Sequence, residues 1–121
     1  MEEFSVWRLK GEAMSKYGNR KTEINGMVFD SKHEAERWIE LKYMERAGLI
    51  YGLQRQVKFE VIPNIYEGKK VVQRSASYIA DFVYRRGSEQ IVEDAKGVRT
   101  DVYKLKKKLM RWKYGIDIQE V

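Results

Sequence analysis

Asp81, Asp94 and Lys96 put two acids and a lysine on two short, mostly apolar stretches, residues 78–84 and 91–97. Both stretches read as β-strands, with a turn at Arg86-Gly87-Ser88 between them. Side chains alternate faces along a strand, so Asp94 and Lys96 project together and Glu93 projects to the other side. On the first strand Tyr78, Ala80, Phe82 and Tyr84 are expected on one face, and Asp81 on the other with Ile79 and Val83. An acid among apolar neighbours on each of two adjacent strands is costly to bury unless it pairs or binds a cation. A divalent metal held by Asp81 and Asp94, with Lys96 beside it, supplies that compensation. The plainer alternative makes Asp81 an edge-strand acid, and Asp94 and Lys96 a same-face ion pair worth little if exposed.

The elements around these residues follow from local signals. Asn25-Gly26 between Thr22-Glu23-Ile24 and Met27-Val28-Phe29 is a hairpin signal. Residues 31–47 read as a helix stopped by Gly48, with Ala35, Trp38 and Leu41 facing inward. At 100° per residue Glu34 lies within about 40° of Trp38 and Glu36 about 160° away, so Glu34 faces inward near the helix start. Ser31-Lys32-His33-Glu34 is also S-x-x-E, a capping box, and on spacing alone the cap is the better reading of Glu34. Residues 54–62 alternate as a half-buried strand ending at Pro63-Asn64, and Tyr66-Glu67-Gly68-Lys69 reads as a turn before Val71-Val72. Gln54 and Gln56 on that strand are open to nucleic-acid contact or to plain strand polarity. Thr100 can cap a helix over residues 101–113, closed by Gly115, with a short strand near Ile116 and Ile118. The order predicts an α/β fold, a central mixed β-sheet flanked by two main helices. Residues 1–15 are expected to be an arm and residues 16–121 one domain.

Composition narrows the partners. The 121 residues carry a net charge of +6, and 43% are hydrophobic, enough for a folded core. Residues 96–113 hold eight Lys/Arg against the single acid Asp101, a local excess of +7 that leaves −1 for the rest. On the last helix Val102, Leu105, Leu109 and Trp112 are expected to be buried, and Lys104, Lys107, Lys108 and Arg111 to face outward. A charged face is usually only a solvated surface, but this one follows Lys96 directly and favours a polyanion. Arg99 belongs to the same basic segment. There is no cysteine and a single histidine, His33, which excludes disulfides, thiolate metal sites and His-based triads. No apolar run approaches a membrane span, and neither G-x-G-x-x-G nor a Walker motif occurs.

Asp81, Asp94-Ala95-Lys96 and the helical Glu34, in this order, resemble the PD-(D/E)XK, or restriction-endonuclease-like, nuclease superfamily. The fuller string is similar to a small phage and prophage family within it. That similarity runs through Lys16-Tyr17-Gly18-Asn19, Phe29-Asp30-Ser31-Lys32-His33-Glu34-Ala35, Ala80-Asp81-Phe82, Val92-Glu93-Asp94-Ala95-Lys96-Gly97 and Lys104-Leu105-Lys106-Lys107-Lys108. Alanine rather than proline precedes Asp81, a departure from the superfamily pattern. The resemblance implies a restriction-endonuclease-like fold and a DNA endonuclease dependent on Mg²⁺ (or Mn²⁺). Asp81 and Asp94 would be its main metal ligands, the Ala95 carbonyl and Glu34 further ones, and Lys96 the catalytic cation. Arg99, Lys104, Lys107, Lys108 and Arg111 would contact DNA. Branched or Holliday-junction DNA is the expected substrate, symmetric cutting calls for a homodimer, and the setting is the cytoplasm of a bacterial host. The contrasting expectation is a nucleic-acid-binding or assembly module that keeps the fold without the chemistry.

Overall fold

Asn25 and Gly26 both take positive φ, 51° and 83°, the geometry of a two-residue hairpin turn that Asn-Gly favours. They join β2 (Arg20–Ile24) to β3 (Met27–Phe29). β1 (Arg8–Met14) pairs antiparallel with β2, completing a three-stranded sheet. The computed structural model describes residues 8–14, 20–95 and 99–121. Strand β1 therefore falls in the stretch read from sequence as an arm. An edge strand is held by backbone bonds to a single neighbour and needs no regular apolar alternation.

Helix α1 (Lys32–Arg46) starts where the capping signal places it: Ser31 Oγ accepts from the Glu34 N–H at 3.1 Å. It ends in a Schellman turn, with Gly48 at φ +79° donating to Glu45 O and Leu49 donating to Met44 O. Ala35, Trp38 and Leu41 are buried as the wheel predicts, and Glu36 is exposed. The helix packs on β2 and β3, where Trp38 meets Phe29 with ring centroids 6.2 Å apart.

The chain divides into two compact units, Met1–Tyr51 and Gly52–Val121. The second is built on a four-stranded mixed sheet in the order β4-β7-β8-β9: β4 (Tyr51–Ile62), β7 (Ala76–Arg86), β8 (Glu89–Asp94) and β9 (Gln119–Glu120). β7 and β8 are antiparallel, whereas β8 and β9 are parallel, with Asp94 beside Glu120. Between β4 and β7 the chain leaves to form a separate hairpin, β5 (Ile65–Glu67) and β6 (Lys70–Gln73). The turn matches its sequence signal, whereas β5 ahead of it carries none.

Helix α2 (Asp101–Tyr114) packs on β7. Thr100 Oγ1 accepts from Tyr103 N–H at 3.1 Å, and Gly115, at φ +68°, closes the other end by donating to Arg111 O. Its orientation departs from expectation. Met110 is fully buried, with Tyr103 and Leu109 half-buried, while Val102, Leu105 and Trp112 are exposed, Trp112 to 78%. Three lysines flank the face that meets the sheet: Lys106 and Lys107 are half-buried, and Lys113 donates to Glu60 O at 3.0 Å. Lys107 and Lys113 reach polar partners, Glu120 and Glu60, and long lysine stems can lie along apolar surface, so a face that reads as charged can still pack.

Strand β7 departs from a plain alternation as well. Tyr78, Ala80 and Val83 all join one core cluster with Val92, Met110 and Ile118. Ala80 and Val83 are three residues apart, so the two-residue period breaks between them. Asp81 lies in that break, and every residue from Ala80 to Tyr84 is buried. The expected grouping of Ala80 with Phe82, and of Asp81 with the exposed Ile79, therefore does not hold along the whole strand.

Candidate metal centre on the mixed sheet

The two strand acids flank the end of one ladder. Phe82 pairs with Glu93 and Val83 with Val92, and Asp81 and Asp94 are the next residues beyond that pairing on β7 and β8. Both are buried, Asp81 at 0% exposure and Asp94 at 2%. Asp81 Oδ2 accepts the Ala95 backbone N–H at 2.7 Å, and its Oδ1 faces Gln56 Nε2 at 3.4 Å. Asp94 Oδ2 accepts from the Tyr78 hydroxyl at 2.8 Å, and its Oδ1 lies 3.5 Å from the Arg99 guanidinium. Burial, followed by the charge of Asp94, its hydrogen bond and the charge of Asp81, holds the Tyr78 hydroxyl far above the usual phenol range. It stays protonated and donates.

Gln56 reaches Asp81 from an unusual backbone. Its φ of 53° lies in the left-handed region inside strand β4, a conformation costing a residue with a side chain about 1–2 kcal/mol. In the sequence Gln56 is a polar strand residue with no signal for this twist. Tyr78 reads there as one residue of a strand face. Its available signal was the phenol itself, since a buried tyrosine normally finds a hydrogen-bond partner.

Glu34 is buried at 2% exposure and belongs to the first unit. Its carboxylate accepts the Asp30 backbone N–H at 3.3 Å, one residue ahead of the Ser31 N–H that a capping box would use. The Ser31 half of the box is present, and the Glu34 carboxylate bonds the chain one residue earlier. Lys96 lies outside the described residues. Among the described residues no group of three or more His, Cys, Asp and Glu gathers closely enough to hold a metal ion.

A family model described as a protein of unknown function (DUF1064) matches residues 14–120. The chain belongs to the DUF1064 family. No curated protein and no solved structure matches it.

Around the acids, the DUF1064 domain arranges its basic residues against a second carboxylate rather than leaving them all open. Glu120 accepts from Tyr103 Oη at 2.7 Å and from Lys107 Nζ at 2.9 Å, and lies 3.4 Å from Arg99 Nε. Arg99 also sits over the Tyr103 ring, 5.4 Å from its centroid. The hydrogen bonds from Tyr103 and Lys107 pull the Glu120 carboxyl down to about 2. Burial and the hydrogen bond to Glu120 push the Tyr103 phenol well above its ordinary value. Arg111 pairs with Asp117 at 3.3 Å on the surface. The basic face reads as acid-free within α2, yet Asp117 and Glu120 return to it from the C-terminal segment. Lys104 and Lys108 are exposed with no acidic partner among the described residues. No helix is long and apolar enough to cross a membrane.

Proposed function

We propose that this DUF1064 domain is a Mg²⁺-dependent (or Mn²⁺-dependent) DNA endonuclease that hydrolyses phosphodiester bonds, with a preference for branched or Holliday-junction DNA. The observation that carries the reading is a pair of buried carboxylates on neighbouring strands, Asp81 bonded to the Ala95 N–H directly after Asp94, and Asp94 bonded to the Tyr78 hydroxyl. The donor set fits a hard cation: carboxylate oxygens and the adjoining Ala95 carbonyl are the oxygen ligands that Mg²⁺ prefers. Mg²⁺ bound there would lower the pKa of a water and neutralise charge developing on the phosphate.

The chain's own residues supply the rest. The Ala95 N–H and the Tyr78 hydroxyl each engage one carboxylate oxygen, fixing Asp81 and Asp94 before substrate arrives. Lys96, two residues past Asp94, brings an ammonium group to a phosphate oxygen or to the attacking hydroxide. Lys104 and Lys108 meet backbone phosphates, contacts that set register and shape but carry no base sequence. Symmetric cutting of a junction requires two copies, and the setting remains the cytoplasm of a phage-bearing host.

A second reading keeps the fold as a nucleic-acid-binding or assembly module. It draws on Arg99, whose guanidinium 3.5 Å from Asp94 Oδ1 lets that acid act as a structural ion-pair partner. Incubating the protein with four-way junction, flap and linear duplex DNA, with and without Mg²⁺, separates the two. Junction cutting that needs metal and is lost in Lys96→Ala, with DNA affinity largely kept, supports the nuclease. Equal cutting of all three substrates defeats the preference for branches, and metal-independent silence on every substrate leaves the binding module.

A further inference from the structure

The β5–β6 hairpin stands outside the core: all seven strand residues are exposed, including Ile65, Tyr66, Val71 and Val72. An isolated two-stranded hairpin is marginal in water, so this one depends on its attachment. Asn64 ties the open end, its Oδ1 accepting the Ser75 backbone N–H at 2.6 Å and its Nδ2 reaching Tyr66 Oη at 3.4 Å. The hairpin is thereby fixed at its root while presenting both faces.

Its charge is lopsided. Lys69, Lys70 and Arg74 are exposed and have no acidic partner among the described residues, and Glu67 is the only acid between Ile65 and Arg74. This differs from α2, where Lys107 and Arg111 are engaged by Glu120 and Asp117. The free cations of the second unit are therefore concentrated as much on the hairpin as on the helix. Tyr66 adds a flat ring for stacking on a base, and the exposed Ile65 is of the kind that wedges between base steps.

We propose that the β5–β6 hairpin is a nucleic-acid-gripping wing: Lys69, Lys70 and Arg74 contact backbone phosphates and Tyr66 stacks on an unpaired or partly unstacked base. This rests on the nuclease reading only for its choice of DNA as the polyanion, and it names an element of substrate grip beyond the acids and α2. Asp81 lies five residue steps along β7 from its start at Ala76, about 17 Å of extended strand. A duplex or branch arm lying over the acids is long enough to reach the wing's root.

The test is fluorescence anisotropy of the full chain with labelled four-way junction and duplex DNA in EDTA, so that cutting plays no part. Salt is varied from about 50 to about 200 mM. The variant Lys69→Gln/Lys70→Gln/Arg74→Gln is expected to bind more weakly, its slope of log affinity against log salt shallower by about 2–3. Tyr66→Ala is expected to lose about tenfold in junction affinity with the slope kept. A triple variant with the wild-type slope, or a wild-type chain that binds neither DNA, overturns the proposal and points to a protein partner for the exposed apolar residues. An altered slope in a chain that cuts nothing with Mg²⁺ supports the wing while removing the nuclease reading. An unaltered slope in a chain that does cut removes the wing alone.

Discussion

The Ala95 backbone N–H donates to Asp81 Oδ2 at 2.7 Å, linking the acid of one strand to the residue directly after the acid of the next. A backbone donor cannot be removed by side-chain substitution, so the position of Asp81 is built into the ladder. Asp94 depends instead on a side chain, the Tyr78 hydroxyl.

Tyr78→Phe removes that donor while keeping the ring in the core. Loss of a single buried hydrogen bond is expected to cost about 1 kcal/mol of stability. The Mg²⁺ concentration for half-maximal cutting should rise about 10- to 100-fold. A metal titration of cutting rate checks this, and an unchanged midpoint would separate Tyr78 from the proposed metal site.

Glu120 is expected to contribute to acid sensitivity. Its carboxyl is lowered from 4.5 to about 2 by the Tyr103 and Lys107 hydrogen bonds. A depressed folded pKa stabilises the fold above the unfolded value, and that contribution is lost as pH falls through the folded one. Wild type should therefore lose stability between about pH 4.5 and pH 2, and Glu120→Gln should lose less over this window. Thermal melts at stepped pH measure the difference. Parallel curves for the two proteins would contradict it.

The orientation of α2 predicts an inversion of substitution costs along one helix. Met110→Ala should cost about 2–5 kcal/mol, as for a filled core position. Trp112→Ala, despite removing the larger side chain, should fall within about 0.5 kcal/mol of wild type. Urea unfolding of both variants decides it, and a large loss at Trp112 would show that the helix presents its other side to the core.

Ser31 and Glu34 separate capping from chemistry. Ser31→Ala should cost about 1 kcal/mol and leave the cutting rate of the folded protein unchanged. Glu34→Gln keeps an oxygen for the Asp30 N–H, so it should melt close to wild type yet cut more slowly if the carboxylate serves the metal. Equal rates for Glu34→Gln and wild type would confine Glu34 to the cap.

Gln56→Gly tests the left-handed kink in β4. Glycine adopts φ near 53° without the Cβ penalty, which offsets its larger entropy loss on folding. The variant should therefore melt no lower than wild type, while Asp81 loses its amide neighbour and cutting slows. A clear drop in melting temperature would mean that Gln56 contributes more through packing than its backbone costs.

Features set by neighbours in sequence were legible in the residues alone. Asn25-Gly26 fixed a turn, Ser31 and Thr100 fixed helix starts, and Gly48 and Gly115 fixed helix ends, because each acts through backbone groups within a few residues. The antiparallel pairing of β7 with β8 was nearly as legible, since the short turn at Gly87 leaves little freedom of register. What only the tertiary structure decided depends on surfaces distant in the chain. Burial is non-directional, so hydrophobic periodicity says that α2 has two sides but not which one the sheet accepts. That choice was made by β7 meeting Met110, and by β9 returning Glu120 to Arg99, Tyr103 and Lys107. The break in alternation at Asp81 and the left-handed Gln56 likewise arise where neighbouring strands must fit together, a constraint that no single stretch of sequence carries.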